Sequence, residues 1–182
     1  MQSIKHSYRI LLSVTLVAFV LNACATRPPT PDAELESFNL TRDLLGKTTG
    51  VGNFNAIDGT DRDFTAYLNG SWDGKVMTLV EDFEFSDGTQ ERKTWVFTQL
   101  PNGEFSGVRE DVVGTARGYQ DGSAFRLEYI MAIPNDDGSP GRKLRFRDVL
   151  VKHSNGVIQN DATVGFWGLR VGSVSLMIDR QQ

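Results

Sequence analysis

Two carboxylates stand among apolar neighbours. In "KVMTLVEDFEF", Met77, Leu79, Phe83 and Phe85 fall on one strand face, because successive side chains alternate sides. Glu81 falls on that face too. In "RKLRFRDVLV", Leu144, Phe146 and Leu150 share a face with Asp148. A carboxylate on an apolar face must be paired and hydrogen-bonded, or it costs several kcal/mol. Two chemistries answer that need. Each carboxylate pairs with Arg or Lys and fixes strand register, or each is a polar group at the base of a ligand cavity. Lys93, Arg109 and Tyr129 are the polar candidates to stand beside them, and Trp95 is the aromatic one.

Other chemistries are excluded by count. His6 lies in a leader segment, so His153 is the one histidine left in the body. A His-rich metal site and a Cys–His nucleophile pair are therefore not expected, and a Ser–His–Asp triad would have to use His153. That residue sits beside the Asn155-Gly156 turn and reads as surface. The acidic neighbours Glu81-Asp82, Glu110-Asp111 and Asp136-Asp137 do not form catalytic carboxylate pairs, because strand neighbours point to opposite faces. The glycines in "SGVREDVVGTARGYQDG" do not make a phosphate loop, since nothing helical follows. Gly107, Gly114, Gly118 and Gly122 instead read as corners, bulges or close backbone approaches. The expectation is a binding or structural protein, not an enzyme, with no metal and no cofactor.

The elements that hold these residues are strands. Asp58-Gly59, Asn69-Gly70, Asp73-Gly74, Asp87-Gly88, Asn102-Gly103, Asp121-Gly122, Asp137-Gly138 and Asn155-Gly156 punctuate the chain. Such pairs are strong hairpin signals, because hairpin turns need positive φ. Between them lie segments of alternating character, and only "SFNLTRDLL" suggests a helix. This predicts an all-β fold, a single antiparallel up-and-down barrel of about 8–10 strands. One hairpin can be registered in advance. A Ser86-Asp87-Gly88 loop pairs Phe85 with Thr89, Leu79 with Trp95 and Met77 with Phe97. It buries one consistent face, sets Glu81 opposite Lys93 and leaves Arg92 outside with Asp82 and Glu84. The strands are too charged on both faces to span a membrane as a barrel.

The start of the chain has its own logic. Lys5 and Arg9 precede an apolar run from Ile10 to Leu21. Twelve helical residues span about 18 Å, short of the roughly 30 Å of a bilayer core, so the run reads as a secretory signal. Leu21-Asn22-Ala23-Cys24 resembles the bacterial lipobox, in which the cysteine takes a diacylglyceryl group and the chain is cut before it. Asn22 departs from the usual small or aliphatic residue. Several acyl chains on one residue suffice for stable anchoring. The absence of Asp at Ala25 suggests, by the same resemblance, the periplasmic side of the outer membrane. The expected organisation is a signal peptide over 1–23, lipidated Cys24 and a Pro-rich tether over 24–37, and the barrel over 38–182.

Removing residues 1–23 of 182 leaves 159, one domain's worth, and takes the net charge from −4 to −6. That charge argues against nucleic acid as a partner. With Cys24 consumed by lipid, no disulfide remains to staple the fold. The expected partners are the membrane, through the N-terminal lipid, and a lipid or other apolar small molecule. The chain is expected to be a monomer.

The body resembles the DUF3833 family of bacterial lipoproteins. The likeness runs through "LVEDFEFSDG", "RKTW", "GEFSGVREDVVGTARG", "GSAFRLEYI", "RFRDVLV" and "NGVIQNDATVGFWGLRVGSVSL", from about Leu40 to Asp179. It implies a lipid-anchored, lipocalin-like β-barrel and no particular activity. The combined expectation is an envelope lipoprotein whose barrel binds a hydrophobic or lipid-like ligand. The alternative is a structural or assembly lipoprotein that binds a protein partner.

Overall fold

The structure, a computed structural model, describes residues 26–31, 33–135, 139 and 141–180. The signal segment, Cys24 and the Asp137-Gly138 turn lie outside the described residues.

The described chain is almost entirely strand. β1 is Leu35–Glu36, β2 Gly46–Ala56, β3 Asp61–Trp72, β4 Val76–Phe85, β5 Gln90–Gln99 and β6 Phe105–Val108. β7 is Ala116–Asp121, β8 Ala124–Ile133, β9 Arg142–His153, β10 Ile158–Phe166 and β11 Leu169–Arg180. One helical turn, α1, covers Leu40–Asp43. From β2 to β11 each strand pairs antiparallel with the next, and β11 pairs back onto β2. The result is a closed ten-stranded up-and-down barrel with β1 added beside the end of β9. Among the described residues closure leaves no long unpaired edge, which is how a sheet this size avoids edge-to-edge association.

The β4–β5 hairpin follows the sequence-derived register. Leu79 lies opposite Trp95, Met77 opposite Phe97 and Glu81 opposite Lys93. The Phe85 amide donates to the Thr89 carbonyl at 2.9 Å, and Gly88 supplies the positive φ, +84°, that this loop requires. Arg92 pairs with Asp82 on the outside, as expected.

One turn signal misleads. Asn69-Gly70 lies inside β3, opposite Lys47 and Gly46 of β2. Gly70 is there for space, not for φ. A Cβ at this position would come within 1.9 Å of the Leu44 carbonyl oxygen. That carbonyl ends the α1 turn, which plugs the lower end of the barrel with Phe38, Leu40 and Leu44, all buried. Asn39 caps the turn by accepting hydrogen bonds from the Thr41 and Arg42 amides.

Aromatic side chains fill the middle of the barrel. Trp95 stacks on Phe97 at 4.9 Å between ring centroids and meets Tyr129 edge-on at 5.2 Å. Tyr129 stacks on Phe146 at 5.1 Å. Each such ring contributes about 1.5–3 kcal/mol through burial, with somewhat more from ring–ring geometry. Space for the rings comes from glycine on facing strands. A Cβ at Gly107 would strike the Phe97 ring at 2.7 Å, and one at Gly118 the Phe125 ring at 2.6 Å.

The Pro-rich segment packs on the barrel wall. The Arg126 guanidinium, itself buried, donates to the Pro28 carbonyl at 2.6 Å and to the Thr30 hydroxyl at 2.9 Å. Arg27 pairs with Glu128 at 2.6 Å, and the Thr163 hydroxyl donates to the Thr26 carbonyl at 2.7 Å. Further along, Leu35 packs against Ala124, Val149 and Val151. Val149 and Val151 are buried on the outer face of β9, so this segment covers an apolar stripe the barrel would otherwise expose. The sequence suggested a Pro-rich tether. The contacts over 26–36 instead make it a strap.

Candidate functional site

The strand register carries Glu81, Lys93, Trp95, Arg109 and Tyr129 to one region of the barrel interior. β4 and β5 bring Glu81 and Lys93 face to face, but they do not pair with each other. Arg109, just past β6, takes Glu81 instead, with Nη1 at 3.3 Å from Oε2. The same guanidinium holds Asp111 through Nε at 2.7 Å. It also lies 4.7 Å from the Trp95 ring centroid and 5.8 Å from that of Tyr129. Lys93 turns to Asp111 and Glu91, each at 3.4 Å. The expected Glu81–Lys93 salt bridge is therefore replaced by an Arg109-centred group. The reason is geometric, since a planar guanidinium can serve two carboxylates and stack on aromatic faces at once, which an ammonium cannot.

Burial governs the electrostatics. The side chains of Arg109 and Glu81 are only 9% and 12% exposed. Burial pushes the Glu81 carboxyl up to about 7, against the pull of Arg109, with help from Asp111 and Glu110. Burial opposes the charge on Arg109, but Tyr129, Glu81 and Asp111 outweigh it and hold its pKa raised. The Tyr129 hydroxyl is pushed well up, first by burial and then by Asp148.

Asp148 stands on the opposite wall, on β9, and is 6% exposed. Burial raises its carboxyl to about 7, opposed by a hydrogen bond with Asn160 and by the Arg109 charge. Neither an Arg nor a Lys forms the expected ion pair with it among the described residues. Its Oδ1 has no hydrogen-bond partner, and neither has Asn160 Oδ1. The Glu81 charge adds a further, smaller upward push on Asp148. The interior thus carries two carboxyls poised near neutrality around one buried cation.

Above this group the interior opens to a half-buried apolar rim. Phe54, Phe83, Phe85, Met131, Leu144 and Val171 pack against the core there without being enclosed. Phe83 and Phe85 stack on each other, and Phe64 meets Phe83 edge-on and Phe85 at a tilt. Arg62 lies over the Phe85 ring at 4.0 Å, pairs with Asp87 at 2.9 Å and leaves its Nε without a partner.

Two cavities lie away from this group. One, of about 290 Å³, is at the lower end between α1, Phe105 and Phe125. The other, of about 410 Å³, is a groove on the outer wall beside Trp167. Neither is lined by Glu81 or Asp148, which are buried in the ionic interior beneath the rim.

Sequence reasoning missed Asp111, Arg62, Met131 and Asn160. Asp111 is two residues after Arg109 and shares its face, but "RED" reads as a solvated turn. Arg62 is two residues before Phe64 and Asn160 two after Ile158, so the period of two carried both signals. Met131 touches Arg109 through its sulfur at 3.0 Å, a contact no spacing announces. His153 is half-buried and bonds Gln159 at 2.8 Å.

A closed antiparallel barrel with a buried ionic group is the class of protein these features define. The sequence profile of the family described as "Protein of unknown function (DUF3833)" matches residues 18–180, and the chain belongs to that family. No curated protein matches the chain. Among solved structures, a redesigned β-barrel, mFAP0, bound to DFHBI, is similar at 10% identity. The match covers 76% of this chain and 100% of that one with a TM-score of 0.38, a level that carries no argument about ligands.

Proposed function

We propose that this chain is a lipid-anchored protein of the bacterial envelope whose barrel takes an amphipathic, lipid-like ligand at its upper mouth. One observation carries the reading: Arg109 and Lys93 lie beneath the rim of Phe83, Phe85, Phe54 and Met131. The rim suits an acyl chain. The two cations suit an anionic head, and a Glu81 carboxyl poised near 7 releases part of the Arg109 charge when it takes a proton. The anchor reading rests on Leu21, Ala23 and Cys24, and the family match begins upstream of them. The proposal is of a monomer on the periplasmic side of the outer membrane that binds rather than catalyses.

The filled interior favours a second reading, a structural lipoprotein that docks a protein partner and holds no ligand. Titration of the purified chain with a fluorescent fatty acid separates the two. Saturable uptake that weakens on Phe85→Ser or Lys93→Gln supports the mouth as the site, since both positions tolerate change at a half-exposed rim. No uptake by a fully folded chain moves the reading to the structural protein.

A further inference from the structure

The strap and the outer groove together indicate which end of the barrel faces the membrane. The groove is walled by Val113, Ile130 and Trp167 and by three basic residues, Lys143, Arg145 and Arg147. Trp167 is 89% exposed and holds a positive φ, +53°, which an aromatic residue adopts at a cost. The turn it forms with Gly168 therefore presents an indole to solvent when burying it would be favourable. Leu169, Val113 and Ile133 are exposed at the same end.

The strap leads to this groove. It leaves β1 at the lower end of β9, opposite Lys152 and His153. It crosses Arg126, which lies opposite Val149, and reaches Thr163, which lies opposite Arg147. Gly165, two residues further up β10 and opposite Arg145, lines the groove. Cys24 is two residues before Thr26, so it is within roughly 7 Å of the last described contact. A lipid on Cys24 would enter the bilayer beside Trp167 and the basic row.

We propose that the Trp167 end is a membrane-contact surface, seated on a bilayer that carries anionic phospholipid. Trp and Leu at this level suit the interfacial zone, and Lys and Arg suit anionic headgroups. The acidic residues Asp61, Asp63 and Asp87 of the upper end belong to β3 and the turn after β4, several strands round the barrel from the basic row on β9. The rim of Phe83 and Phe85 belongs to the same end, on the side of these acidic residues. This inference rests on the anchored reading above.

The test uses the full chain extracted from bacterial membranes and returned to vesicles of phosphatidylcholine and phosphatidylglycerol with brominated acyl chains. The proposal expects the wild-type tryptophan emission to be quenched and Trp167→Phe to abolish the quenching, since Trp95 is buried and Trp72 lies at the lower end. Lys143→Gln with Arg145→Gln should weaken flotation of a Cys24→Ser chain with the same vesicles, roughly fivefold for each charge removed. An intact mass of the same preparation keeps the two readings apart. Acylated Cys24 with unquenched Trp167 overturns the docking surface and leaves the anchor. Unmodified Cys24 with salt-sensitive flotation overturns the anchor and leaves the surface. Flotation unchanged by either substitution, or binding to a protein in place of vesicles, overturns the surface.

Discussion

Asp148→Asn should stabilise the barrel, and more so as pH rises. The folded-state carboxyl is raised to about 7 from an ordinary 3.8, chiefly by burial. Below about pH 4 it is protonated in both folded and unfolded chains and contributes nothing. Between about 4 and 7 the folded chain keeps a proton that the unfolded chain has lost. Stability therefore falls as pH rises through that window, and above about 7 the whole penalty is present. A shift of about three units corresponds to about 4 kcal/mol. Part of it is shared with the Arg109 group, so about 3 kcal/mol is the expected gain on replacing the carboxyl with a nearly isosteric amide. The gain should grow from about 1 kcal/mol at pH 4.5 to about 3 at pH 8. For a domain of this size that is about 6–12 °C in Tm at pH 8. Thermal unfolding by circular dichroism at several pH values reads this directly. A variant no more stable than wild type at pH 8, or one with the same offset at every pH, would refute the argument that Asp148 is a buried carboxyl with no cationic partner.

Other perturbations test other parts of the structure. Arg109→Met leaves Glu81 and Asp111 without their shared cation, and denaturant unfolding at pH 7.5 should show a loss of about 3–5 kcal/mol. Lowering the pH to 5 should recover part of that loss, because Glu81 can then take a proton. Gly70→Ala forces a methyl against the Leu44 carbonyl, and the expected cost is at least about 2 kcal/mol, whereas Gly74→Ala, in an open turn, should cost less. Arg126→Met removes two bonds to the strap, and protease cleavage within the strap should quicken while barrel amides keep their protection. Cys24→Ser should move the protein from the membrane pellet to the soluble periplasmic fraction, read by fractionation.

The barrel itself was legible because its signals are local. Asp-Gly and Asn-Gly pairs mark turns, and a period of two marks faces, so the β4–β5 register follows from four or five residues. The inward placement of Glu81 and Asp148 follows from the same rule. Their partners were not legible. Which cation reaches Glu81 depends on how far β6 is staggered against β5, a property of barrel closure that no short window contains. Nor does local spacing tell Asn69-Gly70 from a turn, because the demand for glycine comes from Leu44, 26 residues earlier in the chain. The strap was hidden for a related reason. "RPPTP" has the composition of a spacer, and only the outward Val149 and Val151 hint that something must cover them.

Native mass spectrometry of the full mature chain released from bacterial membranes addresses the central claim most directly. The account predicts a chain heavier by the acyl groups on Cys24 that also carries a non-covalent species of lipid mass, and it predicts that Phe85→Ser reduces the occupied fraction without unfolding the barrel. An acylated chain with a clean apo mass, and no lipid taken up on titration, would contradict it.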